Sequence, residues 1–293
     1  MKALLRLLPA AALALAFTAC SSMDLSIGNL SAIGQGIQKT QEAEQTEFTP
    51  EQEYYIGRAV AANLLSTRKV WDNPVATSYV NVLERALAMY SDKPETFGGY
   101  HVLILDSDEI NAFSAPGGLI LVTRGLLRCA ANEDQVAAIL AHETSHVVLG
   151  HGINAIKQAR KTAAYRQLGI AVANTAGGSN VQELTDLFKD SIKDITDTLV
   201  NNGYSRDLEL QADQMALVIM KRAGYDPRAF DDMLKSLGAH VKPGGLDFAK
   251  THPDPKIRED AVEKTLDDQP PLTVPAAAAS ARQARWKAAL GSV

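Results

Sequence analysis

The sequence predicts an α+β fold that is mostly helical, with one small sheet in the middle of the ordered region. Two observations lead to this prediction. Long segments with helical periodicity lie on both sides of residues 100–124. Within those residues, three short apolar runs are typical of strands, namely His101–Leu105, Asn111–Ser114 and Leu119–Thr123. The turn Pro116-Gly117-Gly118 separates the last two strands.

The composition excludes several classes of protein. The 293 residues include 29 basic and 34 acidic side chains, for a formal charge of -5, and no basic stripe offers charge to neutralise nucleic-acid phosphates. No nucleic acid is therefore expected as a partner. The two cysteines, Cys20 and Cys129, are too few for a disulfide scaffold or a multi-cysteine metal site. No repeat of fixed period is visible, which excludes solenoids and propellers.

Residues 1–19 have the pattern of a signal peptide. A short basic head precedes the apolar run Leu7–Phe17, which is too short to cross a bilayer. The next residues, Thr18-Ala19-Cys20, complete a sequence that resembles the bacterial lipoprotein signal, in which the cysteine receives lipid. An ordinary cleaved signal followed by an incidental cysteine is the alternative. We therefore expect lipidation of Cys20 and a polar tether over residues 20–48.

The folded domain is predicted over residues 49–268. Thr49 is a suitable cap for a helix over residues 50–66, and a second helix is predicted over residues 74–90. The three strands and the remaining helices follow. Residues 269–293 begin with two prolines and continue into an alanine-rich helix, which we expect to dock on the domain and not on a membrane.

A buried helix with a histidine pair is predicted after the strands, with Asn132 as its N-cap. Glu133–Leu149 lacks proline and glycine and is apolar on nearly every side, as expected of a buried helix. It contains His142-Glu143-Thr144-Ser145-His146. Residues four apart differ by about 40° around a helix, so both imidazoles can bind one ion, and the carboxylate between them can reach a water on that ion. Two core histidines beside a buried glutamate are the alternative, but burying an unpaired carboxylate is costly.

A third metal ligand must come from elsewhere, because a catalytic zinc site has three protein ligands. His151 does not fit the metzincin pattern, which requires glycine at 149 and histidine at 152, where this chain has leucine and glycine. The later segment Tyr204–Asp213 opens a helical pattern that runs to about Arg222, and it carries Glu209 and Asp213 four residues apart. One of these carboxylates can bind the metal while the other orients a histidine ligand. A solvated acidic face is the alternative.

These motifs resemble those of the gluzincin metallopeptidases of family forty-eight, which include the HtpX, BepA, LoiP and Oma-type proteases. The resemblance rests on H-E-T-S-H followed by S-R-D-L-E-L-Q-A-D, on the segment Asn111–Gly118 and on the late segment Thr251-His252-Pro253 with Arg258. It covers about residues 48–266. It implies a zincin-like fold, with the small sheet beside the active-site helix, and one Zn²⁺ per chain.

The resemblance also implies a role for each matching residue. It implies His142, His146 and Glu209 as metal ligands, with Glu143 as general base and acid. Asp213 would then orient a histidine ligand by contacting the side of its ring that faces away from the metal. We interpret His252 or Arg258 as the donor that stabilises the oxyanion. Alternatively, His252 could be a fourth metal ligand that keeps the enzyme latent.

Two segments are candidates for substrate contact. The strand formed by Asn111, Ala112, Phe113 and Ser114 is the candidate edge with which an extended peptide could pair. The amphipathic segment Val181–Val200 could cover the cleft as a lid, or it could be an ordinary core helix.

The predicted function is zinc-dependent endopeptidase activity against misfolded or misassembled envelope proteins. The predicted location is the periplasmic face of a bacterial outer membrane, with the chain anchored by lipid on Cys20. Expected partners are unfolded polypeptides, the membrane and the outer-membrane assembly machinery. Two alternatives are an assembly factor that acts like a chaperone with little turnover, and an enzyme that hydrolyses a non-peptide envelope substrate.

Overall fold

The computed structural model describes residues 31, 34–38, 40–41, 47–159, 161–162, 203–240, 252, 255–267 and 270–293. The predictions for the signal peptide, for Cys20 and for a helix at residues 181–200 lie outside these residues. The chain divides into two compact units, one of residues 1–46 and 157–191 and the other of residues 47–156 and 192–293. All elements discussed below belong to the second unit.

Eight helices and three strands with defined ends make up the described part of the second unit, so the predicted helical α+β class is confirmed. They follow in this order: α1 (Pro50–Leu65), α2 (Pro74–Ala88), β1 (His101–Leu105), β2 (Ala112–Ala115), β3 (Leu119–Thr123), α3 (Arg124–Cys129), α4 (Glu133–Val148), α5 (Arg206–Arg222), α6 (Arg228–His240), α7 (Pro255–Asp267) and α8 (Ala276–Leu290). None of the described helices is long and apolar enough to cross a membrane.

The sheet contains the three predicted strands, in the order β1-β3-β2. The central strand β3 is parallel to β1 and antiparallel to β2. Strand β2 spans Ala112–Ala115, one residue later at each end than predicted, and the Asn111 side chain accepts a hydrogen bond from the Ala112 N–H at 2.9 Å. As a result, β1 and β2 are the two edges of the sheet.

The caps predicted from sequence explain where the helices begin. The Thr49 hydroxyl accepts a hydrogen bond from the Gln52 N–H, and the Gln52 side chain accepts one from the Thr49 N–H, so α1 has the expected capping box. Asn132 accepts a hydrogen bond from the Gln135 N–H at 2.9 Å and caps α4 in the same position. Local sequence therefore fixes the start of the histidine-bearing helix.

Helix α4 forms the centre of the core. It packs against α2, β2, α5 and α6, and nearly all of its residues are buried. Cys129, just before α4, is buried as a small core residue. A helix enclosed in this way has few alternative positions, so its polar side chains are held rigidly.

One buried carboxyl, that of Glu84 on α2, contacts the back of α4. Thr144 Oγ1 lies 2.6 Å from Glu84 Oε1 and 2.7 Å from the Leu140 carbonyl oxygen. A hydroxyl has one proton to donate, so a protonated Glu84 would satisfy both contacts. Burial, opposed by the Thr144 hydrogen bond and assisted by the charge of Glu143, raises the pKa of Glu84 to about 8.

Replacing Glu84 with glutamine is expected to stabilise the protein increasingly as pH rises from 5 to 8. In the native state the Glu84 carboxyl stays protonated up to about pH 8. In the unfolded state the same carboxyl ionises near its ordinary pKa, so rising pH stabilises the unfolded state relative to the native state. Glu84→Gln removes this penalty, which grows by up to about 1.4 kcal/mol per pH unit in that window. Urea unfolding of parent and variant at pH 5, 6.5 and 8 measures the trend. A variant that is less stable than the parent by the same amount at every pH would indicate an ionised native Glu84.

The C-terminal helix docks on the start of α4. Arg285 on α8 donates to both carboxylate oxygens of Glu133, at 3.1 and 2.6 Å, and Arg282 contacts Asp134 at 3.1 Å. Glu133 is buried and also accepts hydrogen bonds from the hydroxyls of two tyrosines, Tyr79 and Tyr225. The expected docking of the alanine-rich helix on the domain is therefore confirmed.

Removing the Arg285 side chain is expected to lower the free energy of unfolding by about 1–3 kcal/mol, because the buried Glu133 carboxylate then loses its cation. Arg128→Ala is the matched control, since Arg128 pairs with Asp108 on the surface and an exposed pair contributes ~0–1 kcal/mol. Chemical denaturation of Arg285→Ala and of the control measures the difference. Equal losses in the two variants would show that α8 does not support α4.

Candidate metal centre

Helices α4 and α5 bring the predicted ligands together. His142 and His146 lie one turn apart on α4, and α5 packs along α4 with Glu209 and Asp213 buried between the two helices. All four side chains are between 0% and 3% exposed. The helical spacing within each pair thus produces one cluster from two distant parts of the sequence.

The donor atoms of three residues converge on one point. His142 Nε2 lies 3.1 Å from His146 Nε2, and each of these nitrogens lies 3.4 Å from a carboxylate oxygen of Glu209. A tetrahedral ion with bonds of ~2.0–2.1 Å requires its ligand atoms to lie about 3.3 Å apart. The spacing of the three side chains therefore suits a tetrahedral metal ion.

The charges of the cluster also suit a divalent cation. Three buried acidic side chains face one buried guanidinium here, so acidic groups outnumber basic ones; these groups belong to Glu143, Glu209, Asp213 and Arg258. Buried charges are costly unless another charge balances them. Glu209 Oε1 is buried and has no hydrogen-bond partner among the described residues. A metal ion would bind this oxygen and balance the excess negative charge.

Asp213 and Arg258 hold His142 from behind. His142 Nδ1 lies 2.9 Å from Asp213 Oδ1, and the Arg258 guanidinium donates to both oxygens of Asp213, at 2.9 and 2.6 Å. Burial raises the pKa of Asp213, but the Arg258 charge and the His142 hydrogen bond outweigh this effect and lower the pKa below its ordinary value. An ionised Asp213 favours the His142 tautomer with its proton on Nδ1, which leaves Nε2 for a metal.

His252 is the fourth member of the cluster. Its Nδ1 lies 2.7 Å from Glu209 Oε2, and its donor atom belongs to a group with those of His142, His146 and Glu209 that all lie within 4.8 Å of one another. The structure therefore brings His252 to the ligands. Its catalytic or capping role stays a prediction, as does the role of Arg258 as an oxyanion donor.

Glu143 borders a cleft beside the cluster. The cleft is formed by α1, β2, α4, the segment before α5 and His252; its lining residues are Val60, Leu64, Ala112, Phe113, Ser114, Ala115, Glu143, Gly203, Tyr204 and His252. A second, mainly apolar pocket between α4 and α6 also reaches Glu143 and His142. Three of the four predicted edge residues thus line the same cleft as Glu143, while Asn111 lies at the start of the strand.

Two residues contact His146 that the sequence does not single out for this purpose. The Tyr204 ring stacks on the His146 ring, with centroids 4.3 Å apart and planes at 19°. His151 Nδ1 lies 2.8 Å from His146 Nδ1. Burial and the charge of the neighbouring His142 lower the pKa of His146 well below its ordinary value, which favours the neutral ring that a metal ligand requires. The sequence feature that could have indicated the contact of His151 with His146 is Gly150, a helix-ending residue directly before His151.

Comparison with known proteins agrees with this geometry. The profile of the family described as "Peptidase family M48" matches residues 77–266, a range that contains the histidine pair, Glu209, Asp213, His252 and Arg258. The match therefore covers more than half of the chain and every residue of the cluster.

Named relatives from bacteria and from mitochondria are similar to this chain. The beta-barrel assembly-enhancing protease of Escherichia coli K12 is 25% identical over 229 residues, which is 76% of this chain and 45% of the relative. The mitochondrial metalloendopeptidase OMA1 of Schizosaccharomyces pombe is 32% identical over 162 residues, or 53% of this chain and 43% of the relative. The chain thus spans less than half the length of these relatives. From the profile match and the cluster it covers, the chain belongs to peptidase family M48.

Proposed function

We propose that this protein is a zinc-dependent endopeptidase. The observation that carries the proposal is the position of Glu143, a buried carboxylate on the same helix turn as two converging histidines and at the edge of a cleft. A pure binding protein has no need of a carboxylate in that place. The family membership and the metalloendopeptidase name of one relative support the same chemistry.

Each polar residue of the centre has a role in peptide hydrolysis. His142, His146 and Glu209 would hold Zn²⁺, which when bound supplies a Lewis acid that activates water and polarises the peptide carbonyl. Glu143 accepts the proton of the attacking water and then delivers it to the leaving amine. Asp213, fixed by Arg258, keeps His142 in the tautomer that presents Nε2 to the ion.

Of the two sheet edges, we propose that of β2 for pairing with an extended substrate. The outer edge of β1 is covered, because Asn81 on α2 bonds both the N–H and the carbonyl of Val102, at 2.9 and 2.8 Å, and the Trp71 N–H donates to the Ile104 carbonyl. The outer edge of β2 instead borders the cleft that contains Glu143. An unfolded chain, whose backbone groups are free, can pair with such an edge without a strict sequence requirement.

The proposed substrates are misfolded or misassembled proteins of the bacterial envelope. Two observations support this assignment: a relative is named as a beta-barrel assembly-enhancing protease, and residues 1–20 have the pattern of a lipoprotein signal. We accordingly propose a lipid anchor on Cys20, a site at the periplasmic face of the outer membrane, and contact with its assembly machinery.

His252 is proposed to act as a fourth ligand that keeps the enzyme latent. Its ligand atom lies within 4.8 Å of those of His142, His146 and Glu209, and its Nδ1 contacts Glu209 at 2.7 Å, which supports a place for it beside the three ligands. We expect His252→Ala to raise the rate of casein cleavage several-fold at unchanged zinc content. A fall in the rate would instead assign His252 to stabilisation of the oxyanion.

The proposal is tested by incubating the purified, zinc-loaded protein with unfolded casein. We expect casein fragments that disappear after treatment with 1,10-phenanthroline and return when zinc is added back. Suppression of casein aggregation without any cleavage would support the chaperone-like assembly factor instead. Hydrolysis of a peptidoglycan or lipid ester substrate with no cleavage of casein would support the non-peptide enzyme.

A further inference from the structure

His151 contacts a predicted metal ligand from the side away from the metal. His146 Nδ1 and His151 Nδ1 lie 2.8 Å apart, while His146 Nε2 faces His142 and Glu209. His151 is buried, with 3% of its surface exposed. The two ring nitrogens are therefore within hydrogen-bond distance at a buried position.

The use of His146 Nε2 for the metal determines which nitrogen donates in this hydrogen bond. A neutral imidazole carries one proton, so a His146 that binds through Nε2 must carry its proton on Nδ1. His151 Nδ1 must then accept that proton with its lone pair, and the proton of His151 lies on Nε2. Metal binding through His146 Nε2 therefore determines the tautomer of His151 as well.

A turn at Gly150 is what brings His151 to this position. In a continuous helix, a residue five positions after His146 would lie about 140° around the axis and would point away from it. Helix α4 ends instead at Val148, and Gly150 adopts a φ of +68°, a conformation that side-chain-bearing residues rarely adopt. The chain turns there, and His151 begins the next helical segment beside His146.

We propose that His151 is a positioning residue of the metal centre, which fixes the tautomer and the ring orientation of His146 by accepting its Nδ1 proton. This inference rests on the proposed metal site but not on the proposed proteolysis. The two histidine ligands are then supported differently, His142 by the anionic Asp213 and His146 by a neutral imidazole. Partners of this kind affect metal affinity by about 10- to 100-fold.

The test compares two substitutions of the same shape. In His151→Asn the side-chain oxygen can take the place of Nδ1 as acceptor, whereas His151→Leu has the same branching and no acceptor. Zinc affinity is measured for the full chain by competition with a chromophoric chelator, and the melting temperature of each zinc-free protein is measured beside it. We expect the leucine variant to bind zinc about 10- to 100-fold more weakly than the parent and the asparagine variant to stay within about threefold.

Several outcomes would overturn the proposal. Equal losses of zinc affinity in both variants would mean that His151 acts through its shape, and no loss in either would mean that the hydrogen bond does not matter. Should the leucine variant not fold, the tautomers of the zinc-loaded parent decide by themselves. Two-dimensional ¹H–¹⁵N spectra of the histidine rings should show His151 protonated on Nε2 and His146 protonated on Nδ1. The reverse assignment for His151 contradicts the proposal.

Discussion

Glu143→Gln is expected to lower the rate of casein cleavage by about a hundredfold to ten-thousandfold, the range typical of a lost general base. The amide keeps the size of the side chain but cannot accept the proton of the attacking water. Glu143 is not among the residues whose donor atoms converge to bind metal, so zinc content should stay at that of the parent. Initial rates under zinc-saturating conditions measure the effect.

The matched control for this experiment is Glu84→Gln, at a residue of α2 that contacts the opposite side of α4. Glu84 is also a buried glutamate, but it contacts Thr144, which points away from the cluster. Glu84→Gln should therefore keep the cleavage rate of the parent. Comparable activity losses in the two variants would show that the rate depends on the packing of α4 and not on the chemistry of Glu143.

Glu209→Gln is expected to weaken zinc binding by more than about a hundredfold, because residues that merely support ligands already account for up to that factor. The substitution removes the carboxylate whose two oxygens face the two histidines. Zinc should then no longer raise the melting temperature, since that stabilisation depends on binding to the native state. Zinc analysis after dialysis and thermal melts with and without zinc measure both effects.

Glu263→Gln is the control for this second experiment. Asp231, Glu259 and Glu263 form the other group of described acidic side chains that could hold a metal ion, and they lie partly exposed on α6 and α7. Lys235 already contacts Asp231 and Glu263 there, at 2.7 and 3.0 Å. The control should bind zinc as the parent does. Loss of zinc in Glu263→Gln, with binding preserved in Glu209→Gln, would place the metal at this second acidic group instead.

The parts of the site that could be predicted from sequence are those set by local helix geometry. A spacing of four residues puts His142 with His146, and Glu209 with Asp213, on common helix faces whatever the rest of the fold does. Caps at Thr49 and Asn132 likewise fixed two helix starts through contacts within three residues. These features needed no knowledge of tertiary structure.

The parts that could not be predicted depend on contacts between distant segments. Glu84 meets Thr144 across 60 residues of sequence, and no local pattern distinguishes it from a surface glutamate on α2. His151 reaches His146 only because Gly150 adopts a positive φ, so an argument from helical spacing considers it as a ligand and discards it. Arg258 engages Asp213 through the packing of α7 near α5, which the sequence does not specify.

We infer that His142, His146 and Glu209 bind one zinc ion beside Glu143. X-ray diffraction from crystals of the active protein, recorded on both sides of the zinc absorption edge, can locate this ion. We predict a single anomalous peak per chain, about 2.0–2.2 Å from Nε2 of both histidines and from a carboxylate oxygen of Glu209. An active protein with no peak at this point, or with its only peak among Asp231, Glu259 and Glu263, would contradict the claim.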